Sequence, residues 1–222
     1  MKFKFLFLIL YCSLNLMSEH RTVIHDGLER DYIIHVPSNI NQDSPLVVVI
    51  HGYTSSAETI MTYSGMNDIA NREGFIAVYP QGTVGSDGNT FFQVGYDFHS
   101  DSTVDDVSFI RYLVNSLTQE FNLKRKKAFA TGMSNGGDMA YLLACTSSDL
   151  FKAVASVTGV MMKQTMDNCE LDNPVPIFEI HGTADDISFF DGDINNLTGW
   201  GAYYGLPETI DFFVEKYQLA QK

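Results

Sequence analysis

The stretch from Ala128 to Asp138, AFATGMSNGGD, constrains the fold of this chain more than any other segment. It contains Gly132-Met133-Ser134-Asn135-Gly136, which fits the G-x-S-x-G pattern of a nucleophile elbow. Such an elbow needs a strand that stops abruptly, a serine at the bend in strained backbone, and a helix that leaves at once. Glycines two before and two after the serine let strand and helix pass closely. At ordinary Gly and Ser frequencies a chain this long gives about 0.07 chance matches, so the flanking pattern has to decide. It agrees: Lys127–Thr131 reads as a short buried strand, and Asp138–Cys145 has the apolar spacing of a helix. The alternative is a Gly-rich strand-to-helix turn with an incidental serine.

The rest of the chain repeats that alternation. Arg21–His25 and Arg30–Val36 read as strands joined by a tight turn at Asp26-Gly27. His25 and His35 are expected on the strand surface. Leu46–Ile50 and Phe75–Tyr79 are continuous apolar runs of the kind that suits central parallel strands. Phe151–Val157 and Pro174–Ile180 complete the strand set. Between them, residues 57–73, 103–121 and 208–218 read as helices, with Thr103 or Asp105 able to cap the second. Strands and helices in this order predict an α/β fold, a mostly parallel twisted sheet with helices on both faces. Functional residues then gather beyond the carboxyl ends of the strands.

Three segments meet that condition. Ser134 follows one strand, with the Asn135 amide beside it at the start of a helix, where an oxyanion would be stabilised. His51-Gly52-Tyr53 follows another and offers the Tyr53 backbone amide as a second oxyanion donor. His51 is expected to brace that loop. The third, His181-Gly182-Thr183-Ala184-Asp185-Asp186, brings Asp185 as the candidate acid, 185 − 134 = 51 residues after the serine, with Asp186 as runner-up. The long polar loop 81–103 carries Phe91, Phe92, Tyr96 and Phe98, which could line a substrate pocket or pin the loop to the core. His99 also lies in this loop, but it precedes the serine and no neighbouring acid orients it.

A serine hydroxyl needs a histidine to take its proton, and that histidine needs a carboxylate. In α/β-hydrolases these follow in the order Ser, acid, His. The six histidines are His20, His25, His35, His51, His99 and His181, and none follows Asp185. The triad is expected to be incomplete.

Composition bounds the remaining classes. The 222 residues suit one domain, and a formal charge of −13 argues against nucleic acid or anionic membrane as partners. Lys2 and Lys4 before the apolar run Phe5–Tyr11 read as a secretory signal peptide over residues 1–18, leaving a domain over 19–222. Its removal takes two lysines, so the mature chain carries −13 − 2 = −15. A secreted or periplasmic location follows. There Cys145 and Cys169, the remaining even pair, suggest one disulfide, with two separate buried thiols as the alternative. No metal-ligand cluster and no cofactor motif is present, and a monomer is expected.

These residues carry a resemblance. Asp26–Tyr32, His51-Gly-Tyr53, Val104–Val107, Gly132–Gly137 and His181–Asp185, in this order and spacing, resemble the secreted polyhydroxybutyrate depolymerase/feruloyl esterase family of α/β-hydrolases. The resemblance covers nearly all of residues 19–222. It implies cleavage of carboxylic esters, small or polymeric, with Ser134 as nucleophile and Asp185 as acid, and it supports a Cys145–Cys169 bridge. It also implies a last strand and a histidine loop that this sequence lacks, and hence impaired activity. The rival expectations are a non-catalytic binding or decoy protein that keeps the pocket, and a peptidase on the same fold.

Overall fold

A computed structural model describes residues 18–124, 128–170 and 173–219. The expected signal segment, apart from Ser18, lies outside the described residues.

The first two strands, β1 (Glu19–His25) and β2 (Leu28–His35), form the expected hairpin. Asp26 and Gly27 both adopt positive φ, 50° and 78°, as a tight two-residue turn requires. Next come β3 (Leu46–Ile50), α1 (Ala57–Ser64), α2 (Met66–Glu73) and β4 (Ile76–Pro80). The single helix expected over 57–73 is two, because Gly65 at φ 60° ends one and starts the other. The 81–103 segment is not plain loop. It carries a small hairpin, β5 (Thr83–Val84) with β6 (Thr90–Phe91), and a 3₁₀ turn at Asp97–His99.

Helix α3 (Asp106–Glu120) is capped by Asp105, whose carboxylate accepts from the Ser108 amide at 2.8 Å. Strand β7 (Ala128–Met133) leads into α4 (Asn135–Thr146), followed by β8 (Phe151–Val157) and α5 (Lys163–Asp167). Strand β9 (Ile177–Ile180) is shorter than the Pro174–Ile180 expected. The pairing of β10 (Gly192–Asp193) with β11 (Tyr203–Tyr204), then α6 (Leu206–Lys216), completes the described chain.

Seven strands form one sheet in the order β1-β2-β4-β3-β7-β8-β9. The pairs from β4 to β9 are parallel, and the β1–β2 hairpin joins antiparallel at one edge. Alternate residues of β3 feed opposite faces, as a strand's two-residue period dictates. Val48 and Ile50 pack with Phe109, Leu113 and Leu117 of α3, whereas Val49 packs with Ala57 and Ile60 of α1. A third cluster joins Tyr141 of α4 to Phe213 of α6 around the Cys145–Cys169 disulfide, which is formed.

His35 is a correction. It is 3% exposed, not on the surface, and its ring meets Asn71 Oδ1 at 2.8 Å. α2 covers that face of β2, and the Asn71 side chain satisfies the buried ring. His25 is half-buried against Tyr112 and bonded to Ser108 Oγ at 3.0 Å.

Candidate active site

Ser134 occupies the bend between β7 and α4 with φ 54° and ψ −122°. Few residues other than glycine tolerate positive φ, so the surroundings must impose it. They do so through the main chain: the Ser134 amide donates to Val157 O at 2.9 Å, and its carbonyl accepts from the Gly137 and Asp138 amides at 2.6 and 2.9 Å. The flanking glycines are required by contact. A Cβ at Gly132 would lie 2.2 Å from Gly136 O, and one at Gly136 would lie 2.2 Å from Ile50 O.

The loop after β3 lies against this bend. A Cβ built on Gly52 would stand 3.4 Å from Ser134 Cβ and 3.9 Å from its hydroxyl oxygen, so the His51–Tyr53 turn is an immediate neighbour. On the other side α4 begins, and the first amides of a helix have no partner within it. Ser134 thus sits between Gly52 of that turn and the N-terminus of α4.

His51 is buried with both ring nitrogens engaged. The Gly82 amide donates to Nε2 at 2.9 Å, so Nδ1–H donates to Gly52 O at 2.7 Å. Burial drives its pKa down to about 4, which keeps the ring neutral. It braces the loop. Asn135 acts similarly toward the next loop, exchanging two bonds with the Phe92 backbone at 2.7 and 3.0 Å.

Phe91 and Phe92 are 1% and 0% exposed. Phe92 belongs to the core under Asn135, while Phe91 stacks on His99 at 3.6 Å. Neither lines the narrow cleft at Ser134, about 20 Å³ in volume, whose walls include Tyr96, Asp138, Met162, Ser188, Trp200 and Tyr203. Larger hollows lie elsewhere, including one of about 320 Å³ by Leu46 and Ala128 at the opposite end of those strands. Volume alone would choose wrongly, since no strained serine faces that hollow.

Asp185 lies in the turn after β9. Its Oδ1 accepts from the Ile187 and Ser188 amides at 2.9 Å each, and Ser188 lines the Ser134 cleft. Asp186 is exposed. His181 fixes the same turn, its Nε2–H donating to Ser188 O at 2.7 Å, with Nδ1 3.3 Å from Glu179. Glu179 also accepts from Tyr141 at 2.7 Å, and burial raises its pKa.

Of the loop aromatics expected to flank a substrate, Tyr96 does line this cleft; Asp138 and Trp200 are not singled out by the sequence. The signal for Asp138 was its spacing, one helical turn beyond Ser134 on what reads as an apolar helix.

The sheet order, the strained serine between β7 and α4, and the loops gathered beyond the parallel strands define an α/β-hydrolase. The chain matches the Esterase PHB depolymerase family over residues 31–198 and belongs to it. It is 27% identical over 161 residues to the bifunctional acetylxylan esterase/xylanase XynS20E of Neocallimastix patriciarum, covering 72% of this chain and 22% of that protein. To feruloyl esterase B of Piromyces equi it is 27% identical over 172 residues, covering 76% and 31%. The chain therefore spans about a fifth to a third of the length of these two relatives. Among solved structures, an acetyl xylan esterase from Aspergillus awamori superposes with a TM-score of 0.54 at 24% identity, over 65% of this chain and 52% of that one. No helix among the described residues is long and apolar enough to cross a membrane.

Proposed function

We propose that this chain is a secreted serine esterase fold in which Ser134 is the acyl-accepting nucleophile. The observation that carries the reading is the strained Ser134, set between the Gly52-Tyr53 turn and the first turn of α4. In this mechanism Ser134 Oγ bonds to the ester carbonyl carbon while its proton passes to a base. The resulting oxyanion is held by the Tyr53 and Asn135 backbone amides. The C–O bond to the alcohol then breaks, the alcohol leaves with the proton, and water releases the acid by the same steps in reverse. Asp185 is the acid that would orient a base histidine, a place none of the six histidines of residues 1–222 fills in this reading. Acetyl, feruloyl or hydroxyalkanoate esters are the substrate classes suggested by the relatives. Export is supported by the N-terminal pattern and by a disulfide of the kind that persists in oxidising compartments.

The six histidines of residues 1–222 are engaged elsewhere. His25 bonds Ser108, His35 bonds Asn71, His51 bonds Gly52 and Gly82, His181 bonds Ser188, His99 stacks on Phe91, and His20 is exposed on β1. None of these contacts is to Ser134. Without a base, a triad enzyme keeps only about 10³–10⁴-fold acceleration over water, from its oxyanion hole and binding. Residues 1–222 alone are therefore expected to hydrolyse p-nitrophenyl acetate weakly, and added imidazole should raise the rate more than in Ser134→Ala. Fast turnover lost in Ser134→Ala, yet unchanged when all six histidines are replaced, would refute this mechanism. The same engagement of the histidines favours a second reading, a cleft that binds esters without turnover. Saturable binding of an ester with no imidazole rescue is its signature.

A further inference from the structure

Asp138 is a carboxylate buried one helical turn after Ser134, and it forms part of the wall of the same cleft. Both of its oxygens are engaged across the fold. Oδ2 accepts from the Tyr96 hydroxyl at 2.6 Å, and Oδ1 accepts from the Val160 amide at 2.6 Å. No cation forms an ion pair with it among the described residues. The ionisable groups facing it are Tyr96 from the 92–99 loop, Tyr141 from its own helix, Tyr203 from β11, and Glu179 with His181 at the end of β9. Burial pushes its carboxyl up to about 7. A carboxylate in such a place is costly to the fold unless its acceptors are filled.

Its two donors come from segments that wall the cleft. Tyr96 packs edge-on against Trp200, ring centres 5.2 Å apart, and the Asp97 amide donates to Trp200 O at 3.2 Å. Val160 begins the segment that carries Met162 into the cleft. The nucleophile helix is thereby tied through one side chain to three loops, those of Tyr96, Val160 and, by ring contact, Trp200.

We propose that Asp138 is a positioning residue: by gripping the Tyr96 hydroxyl and the Val160 amide, it sets the aromatic wall of Tyr96 and Trp200 at a fixed distance from Ser134. As a statement about the ester reaction this rests on Ser134 being the nucleophile; as a statement about the cleft wall it does not. A buried acid that served stability alone would hold α4 in place without governing Trp200.

Trp200 is the only tryptophan in the chain, so its fluorescence reports on this wall alone. The test measures acrylamide quenching of Trp200 together with thermal melting, in the parent, Asp138→Ala, Asp138→Asn and Tyr96→Phe. Asp138→Ala is expected to raise the quenching constant at least twofold. Tyr96→Phe, which removes only one hydroxyl, should move it in the same direction. Asp138→Asn keeps an acceptor for Val160 and a polar partner for Tyr96, and should stay within about a fifth of the parent. Lower melting temperatures with quenching unchanged in Asp138→Ala and Tyr96→Phe would overturn the proposal. Should Asp138→Ala fail to fold, Tyr96→Phe decides alone. The readout needs no turnover, so a chain inactive on esters still tests the wall. If ester hydrolysis is present, Tyr96→Phe should raise KM more than it lowers kcat.

Discussion

Strain at Ser134 has a measurable sign. At φ 54° and ψ −122° an L-residue pays backbone strain of about 1–3 kcal/mol, and glycine does not. Glycine loses about 0.5–1 kcal/mol through its freer unfolded chain. Ser134→Ala and Ser134→Gly both delete the hydroxyl, so their difference isolates the backbone. Subtracting the entropy loss from mid-range strain leaves Ser134→Gly about 1 kcal/mol more stable than Ser134→Ala. In a chain of this length that is about 2–4 °C in Tm. Asn115, on the exposed side of α3, supplies the control: there the glycine variant should be less stable than the alanine variant by about 1 kcal/mol. Urea denaturation of the four variants gives both differences. A Ser134→Gly chain no more stable than Ser134→Ala would refute the strained bend and the elbow with it.

Other outcomes follow from the same structure. The Cys145–Cys169 bridge has a sequence separation of 24, which by loop-closure entropy corresponds to about 3.5 kcal/mol. The Cys145→Ala/Cys169→Ala double variant should lose about that much in urea denaturation, and a loss below about 1 kcal/mol would contradict it. His51, with a folded pKa of about 4 against 6.5, favours the fold fully above pH 6.5 and progressively less as pH falls toward 4, by up to about 3 kcal/mol. The stability difference between parent and His51→Gln should shrink over that window, and a constant difference would count against a neutral buried ring. Among the described residues strand β9 edges the sheet, with Phe178 and Ile180 64% and 51% exposed. Phe178→Lys/Ile180→Lys should reduce concentration-dependent association in sedimentation velocity, and unchanged association would show this edge to be inert.

What the sequence disclosed depended on the range of the interaction responsible. Strands β3 and β4 are legible because burial on both faces leaves an unbroken apolar run. The elbow is legible because its glycines, its serine and its helix start lie within a few positions of each other. The break at Gly65 was harder to see, since helical spacing continues across it and only the positive φ divides α1 from α2. The hairpin β5–β6 has two residues per strand, too few for any periodicity. His35 was placed on the wrong side because burial there depends on α2, whose Asn71 lies 36 residues away. Asp138 escaped notice for the same reason: its partners Tyr96 and Val160 are 42 and 22 residues distant, and nothing local marks an acid on an apolar helix as buried.

The histidines show why bracing and catalysis exclude one another here. A base must accept a proton and later give it up, so it needs one ring nitrogen free to face the reacting oxygen. His51 has neither nitrogen free, and the Nε2–H of His181 is committed to Ser188 O. Removing the His51 ring would orphan the buried Gly52 carbonyl and Gly82 amide at about 1–3 kcal/mol each, and removing His181 would free the half-buried Ser188 carbonyl. That cost is what fixes the Tyr53 and Asp185 turns around Ser134. His99 is the reverse case: its buried nitrogens have no hydrogen-bond partner among the described residues, and its ring is held by packing on Phe91, Tyr53 and Tyr96. The rings that hold the loops still are thus barred from moving protons, and His99, whose nitrogens are not so engaged, makes no hydrogen bond to Ser134. On the mechanism proposed above, a Ser134 whose neighbouring loops are already braced would be limited by proton transfer and not by stabilisation of the oxyanion.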